Sequence, residues 1–245
     1  MKYLIIGASS GLGKALAYVF ARNNHDLILV SRDVRDLSAL KTDIENKYKI
    51  QVEALEIDLN LNDQIESKLF KDKYFKEIQG IIFPIGMMLD NDEDGLSFER
   101  INNLMNANYT SVSYIISKFS KYLNSKKGEI IGFGSISGYL GRKINPYYSA
   151  SKRALESYFE SLAFLNKKNE LRIQFYVLGY LNTNLAFGKN LKLPKGSPQK
   201  LANIVYRNKH FKFKKLFFPA WWKPIAFILK IVPFKIFLLV DKIFK

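Results

Sequence analysis

A tyrosine and a lysine one helical turn apart can move a proton, and this chain offers that spacing four times: Tyr114 with Lys118, Tyr122 with Lys126, Tyr139 with Lys143 and Tyr148 with Lys152. Tyrosine titrates near pH 10 in water (~10), too high for a base at neutral pH. An ammonium on the same helix face would stabilise the phenolate and pull that value down. Context selects Tyr148 and Lys152. Only Tyr148 follows, by thirteen residues, a serine in a Gly134-Ser135-x-x-Gly138 turn that ends an apolar strand. It also begins a helix directly after Pro146, a residue suited to a helix start. The other three pairs read as surface neighbours.

A second constellation lies near the start. The apolar run Tyr3 to Ile6 leads into Gly7-Ala8-Ser9-Ser10-Gly11-Leu12-Gly13. Glycines allow a tight turn and close backbone approach to a pyrophosphate, and the helix that follows presents free N–H groups. The spacing Gly-x3-Gly-x-Gly differs from the usual dinucleotide fingerprint, but a strand before it and an amphipathic helix after it supply the right context. The second strand ends at Ser31-Arg32. A guanidinium there suits a 2′-phosphate and selects NADP. Asp33, an acid able to hold ribose hydroxyls, leaves NAD as the alternative.

Metal and thiol chemistry are not expected. The chain has no cysteine, and its two histidines, His25 and His210, have no ligand spacing. The Asp90–Gly95 cluster has a calcium loop's composition without its ligand spacing, and reads as a solvated loop.

The elements that must position these residues alternate. Strands are expected at 3–7, 27–30, 52–57, 80–83, 128–133 and 171–177. Helices are expected at about 12–23, 34–48, 96–124 and 146–168, with another before Gly80. A further one starts at Ser197-Pro198 and runs to about 208. The Met1–Gly7 run is too short for a signal-peptide core and reads as the first strand. Strict alternation implies an α/β fold, a doubly wound parallel sheet with helices on both faces.

Gly7-x3-Gly11-x-Gly13, Asp58-Leu59, Asn108, Gly134-Ser135-x-x-Gly138 and Tyr148-x3-Lys152 stand in the order found in the short-chain dehydrogenase/reductase family, which the chain resembles over about residues 1–185. The resemblance implies a Rossmann-like fold and hydride exchange between a nicotinamide and a carbonyl or alcohol carbon. It makes Ser135, Tyr148, Lys152 and Asn108 the catalytic set. Ser135 would hold the substrate oxygen beside Tyr148, Lys152 would also bind the nicotinamide ribose, and Asn108 would complete a proton relay through water. Cofactor contacts would come from Gly7, Ser9, Ser10, Gly11, Leu12, Gly13, Arg32, Asp58, Leu59, Gly86 and Thr183, with Tyr148 and Lys152. Two departures stand out. Phe83-Pro84-Ile85-Gly86 replaces an Asn-Ala-Gly-like segment, leaving the asparagine's role in bracing the central strands unfilled or met otherwise. Leu178-Gly179 replaces a Pro-Gly pair, while Gly179 and Thr183 still match the segment that meets the nicotinamide. Residues of about 184–200, with Lys189, Lys192 and Lys195, correspond to the family's variable substrate lid.

The charge is unevenly placed. Residues 1–170 carry 23 basic and 21 acidic residues, whereas residues 171–245 carry 15 basic residues and one acid, Asp241. A catalytic domain over 1–210 is therefore expected to carry a basic, apolar, helical extension over 211–245. Its longest uncharged run is about seven residues, far short of the ~20 that span a bilayer. Paired tryptophans and lysine-bordered apolar turns suggest a segment lying in an anionic membrane surface. The alternatives are a dimer interface or a cover over the substrate pocket. Nucleic acid is not expected, because bulky aliphatics alternate with the basic residues. The sequence reading is thus a cytoplasmic enzyme, peripheral on a membrane, using NADP(H) on a lipidic or lipid-linked substrate, with a homodimer or homotetramer as its assembly. Two other readings are a non-catalytic NADP-binding scaffold of a membrane complex and the reductase half of a two-component epimerase.

Overall fold

The computed structural model describes residues 1–89, 92, 95–141, 143–183 and 194–239. Its sheet has seven strands: β1 (Lys2–Ile6), β2 (Asp26–Ser31), β3 (Val52–Glu56), β4 (Ile78–Phe83), β5 (Glu129–Ser135), β6 (Arg172–Leu178) and β7 (Phe213–Phe218). They are parallel throughout, in the order β3-β2-β1-β4-β5-β6-β7. The order reverses between β1 and β4, and a sheet of this kind opens a ligand crevice at that switch point, beyond the strands' carboxyl ends.

The central strands are apolar on both sides because both faces are covered. In β1, Leu4 and Ile6 join one buried cluster while Tyr3 and Ile5 join the other. Helices α1 (Gly11–Arg22), α2 (Val34–Tyr48) and α8 (Pro198–Asn208) cover the second face through Leu16, Phe20, Leu40 and Val205. The first face is covered by α3 (Asn62–Leu69), α4 (Asp72–Glu77), α6 (Ser111–Ser125) and α7 (Pro146–Leu165), through residues such as Ile65, Tyr74, Phe119 and Phe159.

Several expectations change. The helix expected over 96–124 is α5 (Phe98–Met105), a π-helical turn at Asn106–Thr110, then α6. Phe213–Phe218, expected in the extension, is the edge strand β7, so the sheet runs beyond residue 210. Its two lysines hid it, because they break the apolar pattern of a buried strand. Lys215 is tolerated because its ammonium lies 2.6 Å from both Glu156 and Glu160 on α7. The extension proper is α9 (Trp222–Ile231) and α10 (Phe234–Leu239). Among the described residues no helix is long and apolar enough to cross a membrane. Asp90, Asn91, Glu93 and Asp94 lie outside the described residues, as do residues 184–193 of the expected lid with Lys189 and Lys192. Asp92 is fully buried rather than solvated.

Candidate active site

The glycine turn closes on itself. Gly7 adopts φ +96°, and Gly13 packs so closely on the Gly7 carbonyl that a side chain there would overlap it. Gly7 and Ala8 both donate N–H to the Val30 carbonyl, at 2.8 and 3.0 Å, tying the turn to β2. Leu12 is buried at the start of α1. The Thr183 side chain lies against Gly11, so the segment after β6 reaches the turn. A cavity of about 560 Å³ between α1 and α2 is lined by Ser9, Ser10, Gly11 and Lys14. It flanks the turn and is distinct from the Tyr148 region. Sequence reasoning missed Lys14, whose signal was a cation directly after the third glycine.

At the end of β2, Ser31 donates to Ser9 Oγ at 2.8 Å. The Arg32 side chain is 63% exposed and its guanidinium lies 4.0 Å from Asp58. One carboxylate oxygen of Asp33 accepts the Asp36 N–H at 3.0 Å and caps α2. Asp58 accepts the Asn60 N–H, and the Leu59 carbonyl accepts the Ser111 hydroxyl at 2.6 Å.

Tyr148 and Lys152 occupy the first two turns of α7, both buried, with the ammonium 5.9 Å from the tyrosine ring centre. Lys152 donates to the Ile85 carbonyl at 2.6 Å and to the Phe133 carbonyl at 3.2 Å. It thereby links the segment after β4 to β5, filling the brace that the missing asparagine left open. Gly86 follows directly in that segment. Burial without a carboxylate partner pulls the Lys152 pKa down to about 7.

Ser135 ends β5 and caps the 3₁₀ turn Ile136–Tyr139. Its oxygen accepts from the Ser137 N–H at 3.2 Å and the Ser137 hydroxyl at 2.8 Å. With both acceptor sites used, its own proton is left to donate outward, to a carbonyl oxygen for example. Ser137 was an unassigned position of the motif.

Asn108 sits in the π-helical turn, fully buried. Its amide accepts from Met87 N–H and donates to Met87 O, both at 2.8 Å, and donates to Ser151 Oγ at 3.0 Å. Both amide protons are thereby used, while Oδ1 keeps a second lone pair that a relay water could meet. Ser151, between the two catalytic candidates, donates in turn to the Tyr148 carbonyl at 2.8 Å. Tyr139 is no surface partner of Lys143. It is buried and donates to Glu156 at 2.6 Å. Burial first, and then this bond, raise its pKa. Tyr114 and Lys118 do pair on the surface, with the ammonium 5.1 Å from the ring centre.

The wall beyond Ser135 comes from α9, which packs on the 3₁₀ turn. Trp222 covers Gly179, the glycine expected to meet the nicotinamide, and stacks on Trp221 with ring centres 4.5 Å apart.

The family model for short chain dehydrogenases matches residues 2–193. A very-long-chain 3-oxoacyl-CoA reductase of Vanderwaltozyma polyspora is 30% identical over 194 residues, covering 74% of this chain and 55% of that one. The chain thus spans about half of that relative. A 3-oxoacyl-(acyl-carrier-protein) reductase of Buchnera aphidicola is 29% identical over 218 residues, covering 82% and 86% of the two chains. Among solved structures, a short-chain dehydrogenase from Sphingobium yanoikuyae in complex with NADPH superposes with a TM-score of 0.79 at 24% identity, covering 91% of each chain. An L-sorbose reductase from Gluconobacter frateurii, complexed with NADPH and L-sorbose, gives 0.77 at 17% identity over 88% of this chain and 94% of its own. At these identities the two structures speak for the fold alone.

Proposed function

We propose, on the premise that the chain belongs to the short-chain dehydrogenase/reductase family, that it reduces a ketone on a lipidic substrate with NADP(H) at an anionic membrane surface. Membership makes it an oxidoreductase acting on CH–OH or C=O groups. The observation that carries the reading is the Lys152 ammonium, buried one helical turn from Tyr148.

The residues divide the work. Ser135, its acceptor sites filled by Ser137, would donate to the substrate oxygen. Tyr148 would give that oxygen its proton, and Lys152 would lower the cost of the phenolate left behind. NADPH, when bound, would supply the hydride to the carbonyl carbon. The closely packed glycine turn fits a pyrophosphate, and Ser9, Ser10, Asp58, Leu59, Gly86 and Thr183 would frame the rest.

Cofactor choice is supported by two facts. Asp33 gives one carboxylate oxygen to the cap of α2, while Arg32 stands exposed beside it. An anionic 2′-phosphate suits that pairing better than bare ribose hydroxyls. Two solved structures of similar fold are NADPH complexes.

The lipid reading rests on α9. Trp222 and Ala226 are buried against the body, whereas Phe227 and Ile231 are 65% and 60% exposed on the other side. Lys223 and Lys230 flank them in a region almost without acids. That is the arrangement of an interfacial helix. The names of the two 3-oxoacyl reductases suggest a 3-oxoacyl thioester as the substrate class. We extend the reading to a peripheral cytoplasmic protein and a homo-oligomer, the latter from exposed Phe164 and Leu165 at the end of α7.

The test is NADPH oxidation with a long-chain 3-oxoacyl thioester. Tyr148→Phe is expected to lose at least about 10²-fold in turnover while still binding NADPH. A variant that keeps its turnover would overturn the role of Tyr148, whereas one that loses turnover but keeps full biological activity while still binding NADPH would favour the scaffold.

A further inference from the structure

The segment after β4 touches the candidate catalytic residues repeatedly. The Ile85 carbonyl receives Lys152, Met87 is held by Asn108, and the Met88 sulfur receives the Asn145 amide at 3.4 Å. Asp92 ends this series. It is fully buried, and its two oxygens accept the Tyr147 N–H at 3.4 Å and the Tyr148 N–H at 3.2 Å.

Those two N–H groups belong to the first turn of α7, where no helical carbonyl can reach them. An ordinary helix would satisfy them from its own N-cap. Here Asn145 makes no capping bond with its side chain, and Pro146 has no N–H to offer. The Asn145 Oδ1 atom is buried with no partner among the described residues. We propose that Asp92 is a positioning residue for Tyr148, capping the catalytic helix from a segment 56 residues away in the chain. This rests on the reading of Tyr148 as the proton donor.

Two physical reasons support it. A buried carboxylate is strongly unfavourable unless hydrogen-bonded, so Asp92 is held to these donors. The positive end of the helix dipole favours its charge there. Fixing the Tyr148 N–H fixes the rotation of the first turn, and with it the direction of the phenol.

The experiment compares Asp92→Ala, Asp92→Asn and Tyr148→Phe in the full chain, with NADPH and acetoacetyl-CoA as probes. Asp92→Ala is expected to lower kcat about tenfold or more, as misplaced catalytic groups do, with NADPH affinity unchanged. Asp92→Asn keeps an acceptor oxygen and is expected to restore most of the loss. Hydrogen exchange at Tyr147 and Tyr148 is expected to quicken in the alanine variant alone, a readout that needs no turnover. Wild-type kcat in Asp92→Ala, or unchanged exchange at these amides, would overturn the proposal. Equal loss of kcat in the asparagine variant with exchange at both amides as slow as in the wild type would assign the effect to charge without positioning, which also overturns it. If Asp92→Ala does not fold, Asp92→Ser is used instead, since its shorter hydroxyl cannot reach both N–H groups. Full turnover in Tyr148→Phe would instead sink the reading beneath it.

Discussion

The indole of Trp222 fills the space that any side chain at position 179 would need, its Nε1 lying where a Cβ on Gly179 would be built. Gly179 directly follows β6 next to the crevice, and Trp222 opens α9. The carboxyl edge of the sheet and the basic extension are therefore one packed unit at this point. The missing side chain serves the helix that walls the site.

Gly179→Ala is accordingly expected to push α9 off the sheet edge. Overpacking of this kind destabilises by about 1–3 kcal/mol. Denaturant unfolding should show that loss, and the KM for an apolar ketone should rise more than the KM for NADPH. An alanine variant with unchanged stability would mean that Trp222 has another low-energy seat.

Lys152→Met is expected to lower kcat by about 10²-fold or more. It also has a stability signature. Folded Lys152 loses its proton at about pH 7, whereas the ordinary lysine value is 10.5. Between those values the unfolded chain binds more protons, so this group makes stability rise with pH across that window. Below pH 7 both states are protonated and the burial penalty is full. The Tm advantage of methionine should thus be largest at and below pH 7 and shrink toward pH 10.5. A constant difference across that range would refute the lowered value.

Arg32→Ala should weaken NADPH binding by more than it weakens NADH binding, since only NADPH carries the 2′-phosphate. Titration of cofactor fluorescence with each nucleotide measures this. Equal losses would remove Arg32 from that role.

Phe227→Glu with Ile231→Glu changes only the exposed side of α9 and leaves Trp222 and Ala226 seated. Wild-type protein is expected to sediment with vesicles containing anionic lipid, and the double variant to remain in the supernatant. Truncation after residue 210 is the wrong experiment, because it would remove β7 along with the extension. Wild-type protein that fails to sediment would sink the membrane reading and leave the oxidoreductase chemistry intact.

Lys215→Ala is expected to destabilise by about 1–3 kcal/mol, because it leaves the largely buried Glu156 with the Tyr139 hydroxyl but no cation. Glu160→Gln, whose side chain is 46% exposed, should cost less than about 1 kcal/mol. Similar losses in both would mean that Glu156 is not the partner that holds β7.

The sequence by itself determined the alternation of strands and helices, the glycine turn and the choice of Tyr148 and Lys152 among four similar pairs. Each depends on neighbours along the chain: apolar periodicity, a glycine where backbone must approach backbone, a proline at a helix start. Tertiary structure alone decided the rest. Strand β7 was hidden because Lys215 looks like a surface residue until Glu156 and Glu160 come to meet it. Asp92 looked solvated because its partners lie on a helix far along the chain. The partners of the Asn108 amide, Met87 and Ser151, could not be read from the motif. A buried polar group is identified by its partners, and partners distant in sequence are fixed only by strand order and by how the helices pack on the sheet.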